Sequence, residues 1–325
     1  MIEVKTYQHT RDHHRIYTLA EYSRYDPTRT TSLRNTFARA MRVRFKKVMK
    51  EIKKVVNEDD VFGLKEQPAV YQSPGYRAYQ FLTTEEKIAE FMNWLRQLIK
   101  KDILEIGTME QIGYPLHGAW TDLYVLEAYK RGIARSRLEM KKAGYDIPSL
   151  EETGGIGASM RTPFHLDRVG ILYTRVFTDL IGVTDAMANQ ISRVLAEGMI
   201  MGDGARVIAK KLVATIEGTG IGKLGITDTL GRFIPAMRRA EMIARTELIR
   251  AFHMANVQEM RNWGAVGVRV QAEFLTAGDD RVCDICASLE GKIYTLDEIE
   301  PIIPLHPNCR CLALPVLERD VKQKE

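Results

Sequence analysis

The four cysteines of this chain constrain its folding more than any other feature. Cys283, Cys286, Cys309 and Cys311 all fall near the C-terminal end, as a C-x-x-C pair and a C-x-C pair twenty-two residues apart. His306 stands three residues before the second pair. Two close pairs in a long chain with no secretory leader argue against a disulfide framework and for a metal site. A C-x-x-C turn can aim two sulfurs at one ion, and a second turn can close the tetrahedron. Thiolates with one imidazole suit Zn²⁺ better than Mg²⁺ or Ca²⁺. Five candidates compete for four places. Cys283, Cys286, His306 and Cys309 are the favoured set, with Cys311 as a substitute for His306, and the spacing leaves that choice open. A redox C-x-x-C would sit near a βαβ unit, and no such pattern is visible. A site closed by four protein ligands has no open position, and no general base stands nearby, so its expected role is structural.

The other 260 or so residues read as mostly helical. Leu33, Phe37, Met41, Phe45, Val48, Ile52 and Val55 recur at steps of three and four, one apolar stripe on a long helix. Thr83 and Glu86 have capping-box spacing and open a second helix carrying Ile88, Phe91, Leu95, Leu98 and Ile99. A third runs from Trp120 to about Lys142. Residues 146–163, rich in Gly, Pro, Ser and Thr, read as a linker. Helices are then expected at about 166–180, 184–198 and 205–216, broken at Gly182, Gly202 and Gly204. The longest pattern runs from Pro235 to Trp263. Beyond Gly264 the period changes, with Val266, Val268 and Val270 alternating as in a strand, and HPNCRCLALPV supplies another. The expected fold is mainly α: an elongated helical body with a small C-terminal α+β zinc-binding module. The expected divisions are 1–150, an N-terminal helical domain with a basic helix; 151–263, a central helical domain ending in a long helix; and 264–325, the zinc-binding module and tail.

Several functional classes find no support. No run approaches the roughly 18 apolar residues of a membrane helix, and the N-terminus lacks a signal-peptide core, so a soluble cytoplasmic protein is expected. Around Gly222-Lys223 a P-loop would need glycine where Glu217 stands and a hydroxyl where Leu224 stands. No G-x-S-x-G, H-E-x-x-H or zinc-deaminase pattern occurs. His117, His165 and His253 are isolated, and His9, His13 and His14 lie in a polar tail; none has partners for a site. The Arg245-Thr246-Glu247 run reads as a salt bridge on or between helices. No catalytic residue is expected.

Net charge is only +5 with a pI near 8.9, but its distribution is uneven. The first long helix carries Arg34, Arg39, Arg42, Arg44, Lys46, Lys47, Lys50, Lys53 and Lys54 against one acid, Glu51. This is a solvated face, a docking surface for an acidic partner, or a contact to DNA phosphates. Phosphate contact would be sequence-independent and salt-sensitive.

The residues around the cysteines also form a recognisable motif. Asp279-Asp280-Arg281-Val282-Cys283-Asp284-Ile285-Cys286 followed by His306-Pro307-Asn308-Cys309-Arg310-Cys311 resembles the C-terminal module of phage head-morphogenesis proteins, the Mu protein-F-like group. DPTRTTSLRNTFARAMRVRFKKV, FMNWLRQLIKKDILE, DRVGILYTRVFTDLIGVTDAM and LGITDTLGRFIPAMRRAEMIARTE look like the helical body of the same proteins. The resemblance implies a minor capsid protein of a tailed phage or prophage, acting in head assembly and in DNA packaging or delivery. It implies the portal protein as partner, with scaffold or major capsid protein and genomic double-stranded DNA as further candidates. It implies a place in the virion head near the portal vertex, reached from the host cytoplasm. Some relatives carry toxin domains behind this module; the sequence offers none after it. The competing reading is a zinc-dependent nuclease or a DNA-binding zinc protein.

Overall fold

The computed structural model describes residues 26–64, 84–105, 118–218, 234–265, 267 and 269–317. Thr83, His9, His13, His14, His117, Val266, Val268 and most of the second Gly-rich loop lie outside them. In chain order the helices are α1 (Thr31–Lys53), α2 (Thr84–Asp102), α3 (Asp122–Lys142), the short α4 (Gly155–Met160), α5 (Pro163–Ile200), α6 (Ala205–Glu217) and α7 (Ala236–Gly264). The C-terminal part adds β1 (Val270–Leu275), α8 (Asp284–Ala287), β2 (Ile293–Tyr294), α9 (Leu296–Ile299) and β3 (Leu312–Leu317). Helix dominates and a small sheet closes the end, as the periodicity predicts.

The stripe on α1 is buried as expected: Phe37, Met41, Phe45, Val48 and Ile52 are all fully buried. The chain enters this helix through Asp26. Its carboxylate accepts from the Thr31 backbone N–H at 2.6 Å and from the Thr28 hydroxyl at 2.7 Å. Burial pushes this carboxyl up, but those bonds and Arg34 outweigh it and hold it below its ordinary value.

Two expectations change. Residues 163–200 form one 38-residue helix, not two. Gly182 lies on its exposed side, with nothing within 4 Å of where a Cβ would stand. A lone glycine costs a helix about 1 kcal/mol, less than the burial of Val176, Leu180, Val183, Met187, Ile191 and Leu195 on the opposite face contributes. Of the expected strand, Val270 lies among the described residues; β1 starts there and runs through Ala272 and Phe274, both fully buried. The 146–163 stretch contains α4 and turns, and Met160 within it is fully buried.

One apolar cluster joins α1, α2, α3, α5, α6 and α7, from Phe37 to Ala255. A second joins the end of α3 (Met140, with Tyr145 and Ile147 after it), Ile249, Val257 and Met260 of α7, and the C-terminal part. Helix α7 is common to both. It packs most extensively on α3, then on α1 and α5. At Gly132 of α3 an added Cβ would stand 2.3 Å from the Phe252 carbonyl oxygen of α7, so these helices approach almost backbone to backbone. The sheet is antiparallel in the order β2-β1-β3, with Ala272 opposite both Tyr294 and Pro315. Pro315 cannot donate a ladder bond and sits on an edge strand, where that is tolerated.

Candidate metal centre

Two turns deliver the cysteines. After β1, Gly278 (φ +67°) reverses the chain and α8 starts with Cys283 as its N-cap. The Cys283 Sγ accepts from the Cys286 N–H at 3.4 Å, which brings the two sulfurs to one side of the turn. The second turn is His306–Cys309, closed by the Cys309 N–H donating to the His306 carbonyl at 3.1 Å. Asn308 takes φ +61° there, a conformation Asn tolerates better than most residues.

All five sequence-predicted ligands come together, in two overlapping groups. Cys283, Cys286 and His306 form one; Cys286, Cys309 and Cys311 form the other; within each, the ligand atoms lie within 4.8 Å of one another. The His306 Nε2 is 3.4 Å from the Cys283 Sγ and 3.1 Å from the Cys286 Sγ. Tetrahedral zinc would set such a sulfur–nitrogen edge at about 3.6 Å. The other ring nitrogen, Nδ1, is 2.9 Å from the Pro307 carbonyl. As a donor there, it leaves Nε2 free as a ligand. Cys286, Cys309 and Cys311 are buried within the second apolar cluster.

The electrostatics suit a cation. A bond from the Cys311 thiol lowers Cys309, while burial and the negative charge on Cys309 raise Cys286. The bond to Cys309 and burial raise Cys311. A divalent ion would favour the thiolate form of each sulfur it bound. The cluster could hold a metal ion.

The family match covers this cluster together with α6, α7 and the end of α5. Residues 189–314 match a family model described as phage Mu protein F like protein. No curated protein and no solved structure matches the chain. The Mu protein F like region begins within α5, takes in α6, α7 and both metal turns, and ends in β3. The resemblance carried by the cysteine motif is thus borne out over residues 189–314. The stretches quoted upstream of residue 189 lie outside the match.

Within the Mu protein F like region, α7 carries residues whose role spacing did not reveal. Three of its glutamates are buried, and each holds an arginine from a different helix. Glu241 accepts from Arg42 of α1 at 2.6 and 2.8 Å. Glu247 accepts from Arg175 of α5 at 3.0 Å. Glu259 accepts from Arg137 of α3 at 2.6 Å and contacts His165 of α5 at 3.0 Å. Burial pushes the Glu259 carboxyl up, but His165 and Arg137 outweigh it and keep it below its ordinary value. The Arg245-Thr246-Glu247 run is therefore a structural joint, and Thr246 adds to it by accepting from the Asn308 N–H of the metal turn at 3.0 Å.

His165 and His253 are both core histidines. His165 is fully buried and bonded to Tyr129 at 2.9 Å. His253 is 3.1 Å from the Ile299 carbonyl, and burial lowers it to about 4. The predicted basic residues divide. Arg34 is buried against Asp26, and Arg42 is held by Glu241. Arg44 pairs with Glu105 and lies 4.1 Å over the Trp120 ring, and Lys47 pairs with Asp102. Arg39, Lys46, Lys50, Lys53 and Lys54 are exposed.

Proposed function

We propose that this chain is a structural and assembly protein of a tailed-phage head, associated with the portal, and that its C-terminal cluster binds one structural Zn²⁺. One observation carries the reading: the Mu protein F like match spans all five clustered Cys and His residues. Cys283, Cys286, His306 and Cys309 would supply the four ligands, with Cys311 as the substitute for His306. Four protein ligands leave the ion no position for substrate or water, so the zinc would stabilise the fold and drive no reaction. The chain would act in capsid morphogenesis and in DNA packaging or delivery. Its place would be the head interior near the portal vertex, and its contacts the portal protein, with scaffold or major capsid protein beside it. No described helix is long and apolar enough to cross a membrane.

Mass spectrometry of purified capsids and procapsids tests this. The chain should be present at low copy number and should co-purify with the portal protein. Its absence from both particles would overturn the assembly role. Metal-dependent DNA cleavage lost on His306→Ala would favour the nuclease reading instead.

A further inference from the structure

The two metal turns are joined by an ion pair that none of the candidate ligands enters. Asp279 stands four residues before Cys283, at the base of the first turn. Arg310 stands between Cys309 and Cys311 in the second. The Asp279 carboxylate accepts from the Arg310 Nη1 at 2.6 Å and the Nη2 at 2.5 Å, one bond to each oxygen. Its side chain is 3% exposed, and that of Arg310 is 15% exposed. Arg281, on the first turn itself, reaches the same carboxylate at 2.8 Å but leaves 63% of its side chain in solvent.

This geometry has a specific consequence. A two-bond fork fixes the direction of the guanidinium as well as its distance. The backbone that holds Arg310 also holds the sulfurs on either side of it. Fixing Arg310 against Asp279 therefore fixes where Cys309 and Cys311 stand relative to Cys283 and Cys286. An exposed pair within one turn, such as Arg281 with Asp279, cannot fix one turn against the other.

We propose that the Asp279–Arg310 pair is the positioning clamp of the metal centre, holding the two turns in the register that lets four donors close on one thiophilic divalent ion. The proposal rests on reading the cluster as a metal centre. Outer contacts of this kind typically change metal affinity by about 10–100-fold.

The test is Zn²⁺ affinity of the full chain, measured by competition with a chromophoric chelator, together with the visible absorption spectrum of the Co²⁺ form. Asp279→Asn and Arg310→Gln should weaken Zn²⁺ by about 10–100-fold and alter the Co²⁺ spectrum. Arg310→Lys should not restore affinity, because an ammonium cannot reproduce the fork. Arg281→Gln should stay within about twofold of the unsubstituted chain, since an exposed pair contributes little. If Asp279→Asn does not fold, Arg310→Lys carries the comparison. Unchanged affinity and Co²⁺ spectra in the clamp variants would overturn the clamp alone. So would an equal loss of melting temperature with Zn²⁺ and with chelator, which would make the pair a tether indifferent to metal. An unsubstituted chain that takes up neither Zn²⁺ nor Co²⁺ would overturn the metal reading and the clamp together.

Discussion

On α1, side chains of one charge have two roles. Arg34, Arg42, Arg44 and Lys47 are bonded within the chain. Arg39, Lys46, Lys50 and Lys53, with Lys54 in the π-helical turn that directly follows α1, are exposed and make no ion pair with another described residue. At 3.6 residues per turn these five fall on one side of the helix, opposite Phe37, Met41, Phe45, Val48 and Ile52. If the helix meets packaged DNA, this exposed row makes the contact. Each phosphate contact contributes about −0.9 to the slope of log affinity against log salt. Changing all five to Gln should therefore flatten that slope by up to about 4.5, without a large loss of stability. Arg42→Gln should behave differently. It strips the buried Glu241 of its fork and should cost about 1–2 kcal/mol in urea unfolding, discounted because Arg42 itself is half exposed. Duplex titrations over a salt series check the first expectation. Binding indifferent to both salt and the five changes would remove DNA as the partner of this face.

Among the elements, α7 decides most. It is rich in alanine, with Ala236, Ala240, Ala244, Ala251 and Ala255 all buried, so neighbouring helices come close. The nearest approach is at Gly132 of α3. Gly132→Ala would gain about 1 kcal/mol of helix propensity. It would also press a methyl to 2.3 Å from the Phe252 carbonyl oxygen and 2.7 Å from the Ala255 Cβ. Backbone cannot yield as a flexible side chain does, so the clash wins, and a net loss of about 1–3 kcal/mol is expected. Gly182→Ala, in open space on α5, should raise stability by up to about 1 kcal/mol. Chemical denaturation of both variants measures the contrast. If Gly132→Ala proved as harmless as Gly182→Ala, the close α3–α7 crossing would be wrong.

At the scale of the whole molecule, the question is how far metal loss would spread. Structural zinc in small modules is worth roughly 10–16 kcal/mol of apparent binding, so its removal should open the C-terminal part first. That part is not independent of the helices. Ile249, Val257, Met260, Met140 and Tyr145 share its apolar cluster. Asn256 donates to the Ala313 carbonyl at 2.8 Å, and the Tyr145 hydroxyl donates to the Val316 carbonyl at 2.6 Å. Chelation should therefore raise hydrogen exchange first in residues 270–317, then along one side of α7 and at the end of α3. The α1–α2 region should change least. Uniform exchange before and after chelation, with no lower-temperature melting step, would exclude a structural metal.

The sequence by itself determined the helical body, the stripe on α1 and the meeting of Cys283, Cys286, His306, Cys309 and Cys311. These follow from local spacing: apolar residues at helical period must share a face, and turn-borne cysteine pairs have few uses other than a common ion. It also marked Asp279 and Arg310 through the motif that carries the family resemblance, though not their bond to each other. Only the tertiary structure decided that Gly182 does not break α5, because the burial of the opposite face exceeds the cost of one glycine. Only it decided which cations on α1 face solvent, and which glutamates of α7 are buried against arginines. Those pairings join residues as much as 199 positions apart, Arg42 to Glu241. No local period encodes such a distance: a charged residue reads the same in sequence whether water or another helix lies opposite it.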